Sequence, residues 1–412
     1  MNAVGIDVSK GKSMVAVLRP LGVVVAKPFE VNHTASELGE LARFLKSLDG
    51  ETKVVMEHTG RYYEPVAQVI HAQGLLVSAV NPLLIREYGG NSLRRVKTDK
   101  ADSKKMARYG LDNWAELREY TPMDTIRYEL KTLNRQFHLA SKNRTACSNN
   151  LIALLDQSFP GVRDWFDSPV REDGSQKWVD FARAFWHVDC VRSRSHTAFV
   201  ERYQRWCKSH RYNFRLEKAE EIYRQSSEMI ALVPKSNTTK LLVQEAASQL
   251  LNLSRMVEVL RAEMNRLAAQ LPEYSIVMSM YGVGKSFGPQ LMAEIGDIRR
   301  FAGKQSLVAF AGVDPMVNQS GMKASRSNKS SKRGSPLLRK TLFNVMSCLL
   351  QNAPPDEPVF QFLDRKRAEG KPYYVYMTAG ANKFLRIYFG KVRDHLAALD
   401  MPPPDDASAL PQ

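Results

Sequence analysis

The sequence predicts an α/β domain over residues 1–120 and a longer, mostly helical region after it. Three observations carry that reading. Short apolar runs alternate with helical periods as far as Tyr120. Two long heptad series then occupy residues 121–271, and from Pro272 the chain turns to short helical stretches, glycine turns and a basic, serine-rich segment.

In the first part, Val4–Val8, Ser13–Leu18 and Val23–Phe29 read as three short strands joined by turns, a meander rather than a strand–helix–strand start. Thr34-Ala35-Ser36-Glu37 is a capping box that opens a helix with Leu38, Leu41, Leu45 and Leu48 on one face. Lys53–Glu57 is a fourth strand, Pro65–Gln73 a helix stopped by Gly74, and Leu75–Val80 a fifth strand. Ala101–Tyr109 is a helix with Asp99 at its entrance. Three antiparallel strands followed by alternating helices and strands is the order of a ribonuclease H-like (RuvC-like) fold.

Four acids stand where that fold gathers them. Asp7 lies inside the apolar run Val4-Gly5-Ile6-Asp7-Val8, and Glu57 ends Val54-Val55-Met56-Glu57. Asp99 and Asp102 are three apart, which on a helix means one face. A charge embedded in an apolar strand is costly unless it is paired or bound to a metal. An all-oxygen donor set suits Mg²⁺, with Mn²⁺ as the alternative, and such sites serve phosphoryl transfer. Surface acids on an ordinary α/β domain are the plainer reading; the apolar flanks of Asp7 argue against it.

The heptads run Ile126, Leu130, Leu133, Phe137, Ala140, Arg144, Cys147, Leu151, Leu154 and then Val243, Ala246, Leu250, Leu253, Val257, Leu260, Met264, Leu267, Leu271. They predict coiled-coil helices, serving either association between subunits, which the reading favours, or an antiparallel pair within the chain. Between them, residues 160–235 form an insert in which Trp165, Trp178, Trp186, Tyr203, Trp206 and Tyr212 interleave with arginines and lysines. Those aromatics either stack on unpaired bases or form a small core with a basic exterior.

Residues 272–400 form a further domain. Tyr281-Gly282-Val283-Gly284-Lys285 precedes a helix over Pro289–Ile295, the shape of a helix-hairpin-helix whose amides at Gly282, Gly284 and Lys285 suit a DNA phosphate. The glycine a nucleotide-binding loop needs five residues earlier is Ser279, which excludes that motif. Gln319-Ser320-Gly321 follows, and from there to Lys340 the chain carries Lys323, Arg326, Lys329, Lys332, Arg333, Arg339 and Lys340 with no acid. These cations suit a nucleic-acid backbone. Ser320 is a candidate nucleophile among them, against the plainer reading of a turn serine. Residues 401–412, with three consecutive prolines, are expected to be disordered.

Composition narrows the partners. Lys and Arg number 59 against 43 acids, a net charge of +16, which points to a polyanion. No apolar run approaches the ~20 residues a membrane span needs, and no signal-peptide pattern opens the chain, so a cytoplasmic location is expected, which in a bacterium includes the nucleoid. The four cysteines are not at metal-ligand spacing and read as reduced.

Taken jointly, several stretches resemble the IS110 family of bacterial insertion-sequence transposases, also called DEDD transposases. They are Gly5-Ile6-Asp7-Val8-Ser9-Lys10, Met56-Glu57-His58-Thr59-Gly60 and Arg95-Val96-Lys97-Thr98-Asp99-Lys100-Ala101-Asp102. Further along come Gly282-Val283-Gly284, Ala293-Glu294-Ile295-Gly296-Asp297-Ile298, Phe310-Ala311-Gly312-Val313-Asp314-Pro315, Gln319-Ser320-Gly321 and the run Ser331–Arg339. The resemblance implies a RuvC-like nuclease domain, a coiled-coil middle and a C-terminal transposase domain. It implies that Asp7, Glu57, Asp99 and Asp102 bind the metal and that Ser320 is the nucleophile, with Ser325 and Ser327 as neighbours that could take its register. It also implies a structured guide RNA, the bridge RNA, paired with donor and target DNA, and a homo-oligomer, a dimer or dimer of dimers. The rivals are a RuvC-like junction resolvase or nuclease that uses water, a non-catalytic nucleic-acid-binding assembly protein, and a sugar-kinase or actin-like ATPase.

Overall fold

The computed structural model describes residues 1–58, 60–88, 98–316, 319–320, 323–324 and 329–400, the pairs 319–320 and 323–324 by their backbone alone. The tail expected to be disordered, 401–412, lies outside the described residues. The chain divides into two compact units, Met1–Pro122 and Met123–Gln412.

The first unit is built on a five-stranded sheet of order β3-β2-β1-β4-β5. Its strands are β1 (Asn2–Val8), β2 (Lys12–Arg19), β3 (Val23–Asn32), β4 (Thr52–Glu57) and β5 (Leu76–Val80). The first three pair antiparallel, as the meander predicts, and β4 and β5 continue parallel to β1. Helix α1 (Ala35–Lys46) starts at Thr34, whose hydroxyl accepts from the Glu37 amide at 3.2 Å. Glu37 in turn accepts from the Asn32 amide at 2.7 Å, so the capping box also fastens the end of β3. Together α1 and α2 (Tyr63–Ala72) cover one face of the sheet, where Val4, Ile6, Val54 and Met56 pack on Leu38, Leu41, Val66 and Ile70. Helices α3 (Pro82–Glu87) and α4 (Asp99–Asp112) belong to the other face, where Val55, Val80, Ile85 and Met106 meet. The short α3 was not expected from the sequence; its Asn81 cap and Pro82 first turn are the local signal for it.

In the second unit, α5 (Thr125–Ser158) and α10 (Asn237–Ala268) lie antiparallel. Arg127 meets Glu273 beyond the end of α10, Arg144 meets Glu258, and Leu151 and Leu155 share a core with Val243 and Leu250. The heptad faces, read as favouring association between subunits, are thus spent on each other within one chain.

The two ends of this pair enter different cores. The Leu151–Leu155 end packs with the insert: α6 (Lys177–Ala184), α7 (Asp189–Arg192), α8 (His196–Ser209) and α9 (Leu216–Glu228). The opposite end, from Leu130 to Ala140 and Val257 to Leu271, packs with the C-terminal elements. Those are α11 (Tyr274–Met278), α12 (Gly284–Ile295), α13 (Lys304–Ala311), the short strands β6 (Gln319–Ser320) and β7 (Lys323–Ala324), α14 (Pro336–Asn352), α15 (Pro358–Ala368) and α16 (Tyr373–Asp400). No helix among the described residues is long and apolar enough to cross a membrane.

Candidate functional site

Strand alternation decides which face the acids share. Val4 and Ile6 enter the α1/α2 core, so Gly5 and Asp7 point to the opposite face. Val54 and Met56 likewise leave Val55 and Glu57 on that face. Because β1 and β4 are parallel neighbours with Ile6 opposite Met56, Asp7 and Glu57 emerge side by side at the carboxyl ends of the two central strands. Both are half-buried.

Helix α4 crosses this same face with its backbone against β1. A methyl at Gly5 would fall 2.0 Å from the Ser103 carbonyl oxygen and 2.4 Å from the Ala107 nitrogen. At Gly110 it would lie 2.9 Å from Val55 Cγ2 and 3.4 Å from Ala3 Cβ. The helix therefore runs opposite to β1, and its first turn overhangs the end where Asp7 and Glu57 emerge. Thr98 caps that turn, accepting from the Ala101 amide at 3.2 Å. Asp99 and Asp102 sit in it, where carboxylates are favoured by the helix dipole. Asp99 is exposed and acts electrostatically on Lys12, which with Glu30 at 2.7 Å is held in its charged form.

The four acids thus share one face and one end of the sheet. Among the described residues, however, no three His, Cys, Asp or Glu side chains converge as a formed metal cage. The donor set suits a hard divalent cation in chemistry and topology. The neighbouring His58 is exposed, its ring lies near Tyr63, and its amide donates to Val80 O at 3.0 Å.

Around Ser320 the structure places a hairpin that the sequence did not suggest. Gln319 pairs with Ala324 and Ser320 with Lys323. Below, Pro315 pairs with Ser330, and the Met316 amide donates to Lys329 O at 2.8 Å. Lower still, the Ser331 hydroxyl donates to Asp314, and the Ser335 amide donates to Phe310 O at 2.8 Å. Gly334 is required there: a Cβ would fall 1.9 Å from the Phe310 oxygen. Ser325, Arg326 and Ser327 lie outside the described residues, as do Thr59, Arg95, Val96 and Lys97 of the motifs.

Of the basic residues counted for phosphate binding, Lys285, Lys329, Lys332, Arg333 and Lys340 are exposed. Arg339 is different. It donates to Ala311 O and Gly334 O, each at 3.0 Å, and burial lowers its pKa. It clamps the hairpin base rather than offering its guanidinium to a ligand.

Sequence reasoning missed the buried support of this base. Glu294, from the Ala-Glu-Ile-Gly-Asp stretch, accepts from Asn134 at 2.9 Å and from the Ser335 hydroxyl at 2.8 Å. Ser335 also caps α14 through the Leu338 amide at 3.1 Å. One carboxyl group thereby joins α5, α12 and the start of α14.

The glycine turn at Gly282 and Gly284 has positive φ at both, +76° and +50°, and separates α11 from α12 as a hairpin of helices. The helix after it begins at Gly284, five residues before the expected Pro289, which stands inside it. Proline leaves the Lys285 carbonyl without its helical partner, and Asn265 supplies one at 3.0 Å. The insert aromatics are core: Trp165, Trp178, Tyr203 and Trp206 are buried, and Trp186 and Tyr212 pack against them. None is left as an open stacking platform.

Comparison with known proteins agrees with this layout. Residues 4–160 match the family model of DEDD transposases of the IS110 type, and residues 274–358 match the transposase model of the IS116/IS110/IS902 family. The chain is 23% identical over 345 residues to a pilin gene-inverting protein of Moraxella bovis, covering 83% of this chain and 80% of that one. It is 25% identical over 344 residues to the mini-circle putative transposase for IS117 of Streptomyces coelicolor, covering 77% of each. A 160-residue stretch is 28% identical to the IS900 42 kDa protein of Mycobacterium paratuberculosis, covering 37% of this chain and 39% of that one. With a model matched on the acid-bearing sheet and another on the glycine turn and serine hairpin, the chain belongs to the IS110 family of insertion-sequence transposases.

Proposed function

We propose that this transposase is an RNA-guided DNA recombinase that cleaves and exchanges strands through Ser320, with a ribonuclease H-like domain carrying the metal acids. The observation that carries the reading is the shared face of Asp7 and Glu57 under the first turn of α4. Asp7, Glu57, Asp99 and Asp102 would hold Mg²⁺, which supplies charge neutralisation at a scissile phosphate. The Ser320 oxygen attacks phosphorus and bonds to it as a phosphate–sugar bond breaks. The serine proton is given up and the departing strand oxygen gains one. A hydroxyl of the incoming strand then attacks the phosphoserine and releases the serine. Two such exchanges conserve the bond energy, so no nucleotide is consumed. Donor and target DNA are the substrates, a structured bridge RNA supplies the sequence by pairing, and the protein holds backbones with its cations. The working form is a dimer or dimer of dimers.

The test separates the two halves of the chemistry. Protein purified with its RNA is incubated with donor and target DNA and Mg²⁺, and covalent protein–DNA adducts are resolved on denaturing gels. Adducts should form with the natural chain and vanish with Ser320→Ala, while Asp7→Asn should abolish cleavage. Cleavage by Ser320→Ala with free strand ends would make the protein a nuclease that uses water. Recombination after nuclease removal of the RNA would rule out guidance.

A further inference from the structure

We infer that a second nucleic-acid site, away from the serine hairpin, lies in the cleft between α16 and the start of α13, and that it takes a phosphodiester backbone. The inference rests on the proposed nucleic-acid function. The cleft measures about 530 Å³ and is lined by Arg299, Lys304, Arg386 and Arg393, with no acid among its lining residues. Asp297 and Asp394 hold Arg299 and Arg393 from outside it, at 2.9 and 2.8 Å, and Asp400 reaches Arg299 at 3.5 Å. Lys304 and Arg386 are exposed and have no acidic partner among the described residues.

The two glycines inside α16 point to what fills the space. Gly380 is explained by packing, since a Cβ there would fall 2.4 Å from Leu363 Cδ2. Gly390 lines the cleft, and among the described residues a Cβ there would meet nothing within 4 Å. A glycine inside a helix lowers its stability, so one without a packing neighbour suits close approach of a ligand to the backbone. Gly303 opens the facing wall at the first turn of α13, where helix amides favour an anion. Cations on two walls and bare backbone on both suit the charge of a sugar-phosphate chain, without base readout.

The experiment measures binding of a DNA duplex and, separately, an RNA hairpin, both of arbitrary sequence, across a salt series. Lys304→Ala with Arg386→Ala should make the slope of log affinity against log salt shallower by about 2 for the probe that uses the cleft. Gly390→Ala should weaken that probe severalfold while leaving Tm unchanged or higher, which a structural glycine would not do. The affected probe identifies DNA or RNA as the source. Unchanged slopes for both probes, or a Gly390→Ala variant that loses Tm and keeps its affinity, would overturn the site. A natural chain that binds neither probe would overturn both this site and the proposed function. Cleavage surviving Ser320→Ala touches only the serine mechanism.

Discussion

At the insert end of the α5–α10 pair the contacts are dominated by ring-on-ring packing; at the other end they are mainly aliphatic, with directed polar ties. Phe181 lies 4.5 to 6.1 Å, centroid to centroid, from Phe159, Trp165, Phe166, Phe185, Tyr203 and Trp206. At the far end Arg127 donates to both oxygens of Glu273 at 2.7 Å, and Glu294 joins Asn134 to Ser335. Ring packing contributes much energy, mostly through the large apolar area it buries. A buried carboxyl group contributes less net energy, yet it fixes which atoms meet. The aromatic end is a stabilising cap, and the charged end sets where the serine hairpin stands on the helices.

The largest expected effect breaks the aromatic end. Phe181→Ala should cost about 4 kcal/mol of that core's stability. Tryptophan emission during denaturation reads it, since four of the five tryptophans, Trp165, Trp178, Trp186 and Trp206, sit there. DNA cleavage per folded molecule should be unchanged.

Next comes the charged end. Glu273→Ala leaves the buried Arg127 with Asp124 alone and should cost about 3 kcal/mol, measured by the denaturant midpoint. Arg127→Met combined with Glu273→Leu should recover most of it. If the double variant is no better than the single, the pair is more than a tie.

Glu294→Ala is smaller in stability, about 2 kcal/mol, because two donors lose one acceptor. Its strand-cleavage rate should fall further than the folded fraction does, whereas a rate that tracks the folded fraction would make the tie purely structural.

The smallest effect is in pH. Burial lowers the pKa of His138, which faces Lys340 and Glu294, with Lys340 adding to the shift and Glu294 opposing it. The unfolded chain takes up that proton near the ordinary histidine value while the folded chain does not. Stability contributed here is therefore full at neutral pH and declines as pH falls below the ordinary histidine value. His138→Gln should flatten that limb of a stability–pH curve; an unaltered limb assigns it elsewhere.

How much of this was legible follows the range of the interactions. The five strands were readable because each is a short apolar run, and Asp7 stood out because its flanks are apolar. Helix α4 was read two residues short at its start and three at its end, within the ordinary uncertainty of helix ends. The heptads gave both long helices and could not give their partner, since an apolar stripe fits another chain as well as its own. The aromatics of the insert carried two meanings until burial chose one. Proline misplaced the start of α12 because its loss is offset by Asn265, a residue on another helix. Glu294 and Ser335 lie 41 positions apart, and no local pattern announces such a bond.

The seam between α4 and β1 has one more implication. Two backbones meet at Gly5 with no side chain as a spacer. Sliding the helix by one residue would drive Lys104 or Asp102 into a gap that accepts only main chain. Any re-aiming of Asp99 and Asp102 is accordingly confined to unwinding or turning the first helical turn, while the remaining length of that rod stays fixed like a ruler against the sheet.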